Sequence, residues 1–424
     1  MSTALSSGKL YKRLWRWHFW AAFLVIPFVL LQASTGTLYV WANEWADWAH
    51  PEARFVTPAL QRAPLEDQVN AALSEVLASY PGAKAERLLL SDSPQRSSLL
   101  LFDDGSGLEI ASFIDPYRAE VLAVLGPWQW LPGWSRALHG GWPFGKYGSW
   151  FLELAACWCM VMIATGVYLW WPRGISFGRA LLPRLGQGQR VLWRDLHACV
   201  AVWISLLTLA FLLTALPWTE FWGKQVLRPM QVALNQSGPG FGARGLASTP
   251  QEAALPLTLD QAVALGRAQG LSGQVEIRMA YAPTDALQMR SRRARASDEV
   301  QVLADRYSGE VLRRTTWADY KIIPKAIATG VDLHEGTFFG RANQWLNTLL
   351  SLALIWLCLT GLVSWYVRRP GKGLAAPARQ VPPAPRWLSA AAIVSGIALP
   401  LLGLSLLLLY LLDTLTQRFW PKPV

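Results

Sequence analysis

Charge is scarce in this sequence, and cysteine and histidine are scarcer. Only 16% of the 424 residues are charged while 52% are hydrophobic, and tryptophan occurs 24 times. That balance excludes an ordinary soluble enzyme and fits a polytopic membrane protein with aromatic belts. The four cysteines, Cys157, Cys159, Cys199 and Cys358, all fall inside apolar runs, which leaves the outward loops without disulfides in an oxidising compartment. Cys157-x-Cys159 reads as packing and not as a metal motif, because residues two apart on a helix point to different faces. A flavin or nicotinamide fingerprint is missing too: the glycines of "RRPGKGL" follow no strand–turn–helix context. The first apolar run, after "KLYKRLWRW", is too long for a signal peptide and lacks a small-residue cleavage site, so it reads as a retained span.

What is present is a series of long apolar runs. A bilayer crossing takes about 20 residues, and spans are expected over 18–41, 149–171, 195–218, 344–367 and 388–412. The net charge of +11 is concentrated in three short segments. The N-terminus holds Lys9, Lys12, Arg13 and Arg16. The loop after the second span holds Arg173, Arg179, Arg184, Arg190 and Arg194, and the loop after the fourth holds Arg368, Arg369, Lys372, Arg379 and Arg386, neither with any acid. Basic loops on one side mark the cytoplasm and argue against nucleic acid as the partner. The expected division is a cytoplasmic N-terminus with span 1 (1–41), a first periplasmic domain (42–148), span 2 (149–171), a cytoplasmic loop (172–194) and span 3 (195–218). A second periplasmic domain (219–343), span 4 (344–367), a cytoplasmic loop (368–387), and span 5 with a periplasmic C-terminus (388–424) complete it. The periplasmic side and the bacterial inner membrane are what the family resemblance described below implies.

The chain also repeats itself. "LHGGWPFGKYGSW" at 138–150 returns as "LHEGTFFGRANQW" at 333–345. His139 precedes Thr165 by 26 residues, and His334 precedes Thr360 by 26. His18 precedes Thr35 by 17 residues, and His197 precedes Thr214 by 17. Outside the spans, "DPYRAEVL" at 115–122 matches "DRYSGEVL" at 305–312. The expected architecture is therefore five helical spans in two parallel internal repeats, each carrying a small periplasmic α+β domain, with the fifth helix extra. Each outer domain reads as one helix followed by short strands, "AERLLLSD", "SSLLLFDD" and "LEIASFID" in the first.

Four of the five histidines fall into the repeat as two pairs: His18 with His197 at the cytoplasmic ends of spans 1 and 3, and His139 with His334 just outside spans 2 and 4. His50, in "WAHPEAR", stands apart. Taken singly, each reads as an interfacial imidazole. As two related pairs they read as metal ligands. Two histidines do not complete a tetrahedral zinc site, but two axial nitrogens are what a six-coordinate haem iron needs. The expectation is two haem groups, one near each surface, carrying electrons, with Gly140, Gly141 and Gly336 admitting the ring and the Thr-Gly pairs packing helices closely. The donor is then a separate molecule, a quinol or a cytoplasmic flavoprotein.

Other groups are open to two readings. Glu153, four residues into span 2, either orients a haem ligand or reaches the outer interface. "RSRRAR" at 290–295 is either a solvated face or an attractive surface for an anionic chelate. Trp134, Trp142, Phe338 and Phe339 either belong to the aromatic belt or roof the outer haem as a docking floor.

The two "LH.G…G" motifs, the Thr-Gly pairs near the inner span ends, the "W…H" opening of span 1 and the "RDLH" of span 3 resemble the PepSY-associated transmembrane family, and within it the FoxB-type ferric-siderophore reductases. The resemblance covers nearly the whole chain. It implies haem b and reduction of a periplasmic ferric siderophore, with release of ferrous iron; the fused flavin-reductase portion of some relatives has no counterpart here. Two other readings stand beside it: a membrane-anchored periplasmic binding or inhibitory module, and a transporter built on the parallel repeat.

Overall fold

The computed structural model describes residues 2–238, 246–250, 254–293, 295–369, 371, 373–377 and 385–419. Lys372, Arg379 and residues 420–424, which entered the charge and terminus expectations, lie outside the described residues. The chain forms two compact units: residues 1–34, 144–229 and 347–424 make the first, and 35–143 and 230–346 the second.

The helices used below are α1 Ser2–Val40, α2 Ala42–Ala49, α3 Leu65–Ser79, α4 Leu131–His139, α5 Gly145–Trp170 and α6 Gln189–Ala215. They continue with α7 Leu259–Ala268, α8 Ile322–Glu335, α9 Arg341–Arg368, α10 Arg386–Ala398 and α11 Pro400–Phe419.

Four helical stretches are long and apolar enough to cross a membrane: Gly8–Val40, Gly145–Trp170, Gln189–Trp218 and Arg341–Arg368. They coincide with the first four expected spans, and each exceeds the roughly 20 residues a crossing needs. Apolar side chains such as Leu206 (80% exposed) and Trp203 (66%) point away from the protein, as lipid-facing residues do.

The fifth expected span differs. Residues 388–412 do not form one helix; α10 ends at Ala398 and α11 begins at Pro400. Proline supplies no N–H to continue the helix, and it disfavours helical geometry in the preceding residue. The chain folds back there: a Cβ added to Gly396 would lie 2.9 Å from the Cα of Gly403, whereas residues seven apart in a straight helix are about 10.5 Å apart. Glycine at both positions allows this approach. The hairpin packs on α5, where Trp158 donates to Ser405 Oγ at 3.2 Å, and Trp222 Nε1 donates to the Ala398 carbonyl at 2.9 Å.

The second unit is built on one eight-stranded antiparallel sheet. Its strands are β1 Lys84–Leu90, β2 Ser98–Asp103, β3 Glu109–Ile114, β4 Val121–Leu125, β5 Gln274–Arg278, β6 Leu287–Arg292, β7 Gln301–Ala304 and β8 Val311–Thr315. Their spatial order is β4-β3-β2-β1-β5-β6-β7-β8. The three strand stretches expected in the first outer domain are β1, β2 and β3. The two outer domains, expected as separate modules, instead share a sheet: β1 pairs β5 from Arg87 opposite Arg278 to Leu90 opposite Val275. Joining these edges removes two unpaired strand borders and makes one core. Leu88, Leu100, Phe102, Ile110, Ile277 and Met289, all fully buried, lie in it with Val69, Ala72 and Val76 of α3 and Ala262 of α7. The helices also cap each other. The backbone N–H of Leu65 donates to Asp260 Oδ2 at 3.0 Å, and that of Leu259 donates to the Glu66 carboxylate. Each helix N-terminus thus receives the other's first-turn acid, which its unpaired N–H groups and dipole favour.

The repeated "DPY/DRY" motif has a structural explanation. Asp115 Oδ1 accepts from Tyr117 N and Asp305 Oδ1 from Tyr307 N, both at 2.8 Å, and each tyrosine hydroxyl donates to a proline carbonyl, Pro94 or Pro283. It is turn chemistry.

On the opposite sheet face, Leu101, Ala111, Phe113 and Leu125 pack with Ala46 of α2 and with Trp130. Near the β1–β5 seam the same face turns ionic. Glu109 pairs with Arg87 and Arg136, and Glu276, 1% exposed, pairs with Arg290 at 2.9 Å and Arg292 at 3.5 Å. Burial pushes the Glu276 carboxyl up, but Arg290, Arg292 and Arg87 outweigh it and hold it below the ordinary range. Two arginines of the "RSRRAR" run are thus half-buried partners of a core carboxylate.

Candidate histidine-pair sites

His18 lies in α1 and His197 in α6. Their ring centres are 6.5 Å apart with planes at 85°. What holds each ring is a neighbouring span. His18 Nδ1 lies 3.0 Å from Thr165 Oγ1, and that hydroxyl gives its own hydrogen to the Val161 carbonyl at 2.9 Å. A hydroxyl has one hydrogen, so the oxygen accepts from His18 Nδ1–H. His197 Nδ1 lies 3.0 Å from the Leu357 carbonyl oxygen and 3.4 Å from Thr360 Oγ1. A carbonyl only accepts, so His197 also carries its hydrogen on Nδ1. Both imidazoles therefore keep a lone pair on Nε2, the tautomer of a histidine that ligates a metal through Nε2.

Glycine completes each cradle. A Cβ on Gly166 would meet His18 Cε1 at 3.3 Å, and one on Gly361 would meet His197 Cε1 at 3.3 Å. The Thr-Gly dipeptide is thus a histidine seat, in which threonine orients the ring and glycine admits its edge. The spacing pattern suggested helix packing for these pairs and missed this role.

His139 is the last residue of α4, and His334 the second-last of α8. Their ring centres are 6.3 Å apart with planes at 68°. His139 Nδ1 lies 3.1 Å from Thr35 Oγ1, and a Cβ on Gly36 would come within 3.1 Å of His139 Cε1. Thr35-Gly36 is a third copy of the same seat. The repeat carries a departure at its fourth position, where Thr214 is followed by Ala215. Both histidines sit in the last turn of a helix, whose dipole favours positive charge there. Gly336, with φ 81°, ends α8 in the left-handed conformation, so this glycine terminates a helix.

Ionisable groups surround this second pair. Burial pushes the Glu335 carboxyl above its ordinary value, and Arg292 opposes the shift without cancelling it. Asp332 is also raised by burial, and its Oδ2 accepts from Ala296 N at 2.9 Å. Arg136 stands one helical turn before His139.

The remaining candidates scatter. Trp142 donates to the Ser106 carbonyl at 3.0 Å and meets Trp128 edge-on. Phe338 meets Phe339 at 4.7 Å and receives the guanidinium of Arg295, while Phe339 is 59% exposed. Trp134 lines a cavity with His50. Glu153, 1% exposed, accepts from the backbone N–H of Trp222 at 3.0 Å; its partner is the start of the π-helical turn Trp222–Leu227. Among the described residues, no three His, Cys, Asp or Glu side chains gather as a metal cage. The paired histidines are what the fold brings together.

A family model described as the PepSY-associated TM region matches residues 15–368, and so includes all four paired histidines. The chain belongs to the PepSY-associated TM region family. The match ends before the α10–α11 hairpin begins. No curated protein matches the chain in sequence.

Proposed function

We propose that this PepSY-associated membrane protein is a di-haem electron carrier of the bacterial inner membrane that reduces ferric siderophore at its periplasmic face. The observation that carries the reading is the anchoring of His18, His197 and His139 through Nδ1. An imidazole fixed by its other nitrogen is the usual setting of a metal ligand. The spacing suits it as well. Two imidazole–metal bonds of about 2.1 Å, with about 1.1 Å from each ring centre to its nitrogen, span about 6.4 Å; the observed separations are 6.5 Å and 6.3 Å.

His18 and His197 would hold one haem b, and His139 and His334 the other. A bound haem supplies a one-electron couple whose potential its protein surroundings tune. The chain's own residues do the rest. Thr165 and the Leu357 carbonyl hold Nδ1 hydrogens and so aim Nε2, and Thr35 Oγ1 holds the His139 ring through Nδ1. Gly36, Gly166 and Gly361 let the rings seat. Exposed Phe339 and the Trp142–Trp128 pair offer a surface for a ferric complex. Ferrous iron binds hard oxygen donors less tightly than ferric iron, so reduction releases the metal. A purely binding or inhibitory PepSY module gives the imidazoles of His18, His139 and His197, each held through Nδ1, no role.

The basic segments assign the N-terminus to the cytoplasm. A chain that folds back at Leu399–Pro400 returns its C-terminus to that same side, in place of the periplasmic end that five crossings give. The deciding experiment is purification with haem supplied during expression. Soret and α bands of b-type haem, with anaerobic release of ferrous iron from a ferric siderophore by the pre-reduced protein, support the reading. A folded protein that stays colourless overturns it.

A further inference from the structure

The outer histidine pair stands beside donors that the histidine seat does not use. On α1, Tyr39 follows Thr35 by four residues and shares its face; on α4, Arg136 precedes His139 by three and shares its face likewise. The seat joins those two faces, because Thr35 holds His139. The charged side chains felt at the Tyr39 hydroxyl are Glu335, Arg136, Arg292 and Glu109. Among the described residues that hydroxyl has no hydrogen-bond partner, although a phenol has a hydrogen to give.

The arginines also keep donors in reserve. Arg87 and Arg136 share the carboxylate of Glu109, and Arg290 and Arg292 share that of Glu276. A guanidinium carries five N–H groups. Arg136 and Arg292 each meet a single carboxylate oxygen, and their side chains stay 52% and 38% exposed. Glu335 is the charge felt most strongly at Tyr39, so an incoming anion is steered away from it and toward the two arginines. A phenol and two guanidiniums with free N–H groups make a set suited to carboxylate.

We infer that Tyr39, Arg136 and Arg292 form a carboxylate site, and that its ligands are the propionates of the outer haem. The inference rests on the proposed function and adds which edge of that haem faces the sheet. Arg136 stands about 4.5 Å along α4 from His139, and Tyr39 about 6 Å along α1 from Thr35, so the donors flank the seat itself. Tyr39 lies within the membrane-crossing stretch Gly8–Val40. An anion reaches it there as part of an apolar ligand, as a propionate on a porphyrin does, and not as a free hydrophilic chelate. Arg136 joins Glu109 of β3 and Arg292 belongs to β6, which turns the propionate edge toward the sheet.

The test is spectral titration of the full-length protein, produced haem-free in a His18→Ala/His197→Ala background that leaves only the outer site. The probes are haem b and its dimethyl ester, in which both propionates are blocked. Haem b should bind about tenfold more tightly than the ester. Arg136→Gln with Tyr39→Phe should bring haem b down to the ester's level and leave the ester unchanged. Tyr39→Phe alone, which disturbs no ion pair, should cost haem b about threefold and the ester nothing. Arg136→Lys, which keeps the charge, should recover part of the preference. Equal losses for both porphyrins would mark a purely structural role and overturn the site. So would a preference that survives the substitutions, or variants that lose affinity only for a carboxylate-bearing ferric chelate. The wild type separates the two readings: a folded wild-type protein that takes up neither porphyrin sinks the proposed function, whereas uptake without a preference sinks only the carboxylate site.

Discussion

The two histidine pairs use one seat in two environments. His18 and His197 sit within long apolar helices, and their anchors are a threonine, a backbone carbonyl and two glycines. His139 and His334 sit at the ends of short helices, beside Glu335, Asp332 and Arg136. The seat is shared because the requirement is shared: hold Nδ1, free Nε2 and clear the ring edge. Under the proposed function, the pair among apolar side chains would pass electrons away from solvent, whereas the pair beside ionisable groups would meet the charged ferric complex.

Removing a ligand should break this comparison most severely. His334→Ala or His139→Ala is expected to abolish release of ferrous iron and to halve the haem bound, while His18→Ala or His197→Ala halves it by losing the other haem. Haem-to-protein ratios beside an anaerobic ferrous-chelator assay would measure this, and undiminished release by a folded His334→Ala protein would refute the outer assignment.

Obstructing the seat comes next. Gly361→Val places carbon where the His197 ring edge already lies within 3.3 Å of an added Cβ, so haem should be lost from the inner pair alone; Gly36→Val should do the same to the outer pair. Full haem occupancy in either variant would show that the ring does not depend on the glycine. Loosening the seat is milder. Thr165→Val removes the acceptor for His18 Nδ1 and should weaken inner-haem retention about tenfold, the lower end of what outer-shell losses cost. Retention is read by haem transfer to apomyoglobin, with Thr165→Ser expected to restore it.

An ion-pair cluster at α2 supplies a smaller, pH-dependent effect. Burial pushes Asp47 up, but hydrogen bonds from Arg96 and Arg54 prevail and hold its carboxyl below the ordinary range. A depressed folded-state pKa contributes stability that is present above the unfolded value, near pH 4, and lost as pH falls through the folded one. Thermal unfolding followed from pH 6 down to pH 2 should therefore show a loss that Asp47→Asn largely removes; an identical acid profile in the variant would contradict it.

Much of this was readable in the sequence because spans and repeats are written in long patterns. Four apolar runs gave four helices. The motif spacing paired His18 with His197 and His139 with His334, and the fold brings those rings to 6.5 Å and 6.3 Å of each other. The strands of the first outer domain were equally plain. What could not be read needed contact across elements. Thr165 was matched by spacing to His139 but touches His18, and Thr35 touches His139, because the seat lies on a neighbouring helix. The β1–β5 seam is an edge pairing between segments nearly 190 residues apart, and no local pattern announces it. Pro400 did mark the break at 399–400, but the apolar run on both sides hid it. A reporter fused at Leu415 should be active on the same side as one at the N-terminus, and opposite sides would restore a single fifth crossing.

The central claim is that each histidine pair clamps its own haem, and haem content across double variants tests it most directly. The wild type should bind two haems. His18→Ala/His197→Ala and His139→Ala/His334→Ala should each bind one, and His18→Ala/His334→Ala none. A folded His18→Ala/His334→Ala protein that still binds one haem, or a within-pair double that binds none, would contradict the pairing.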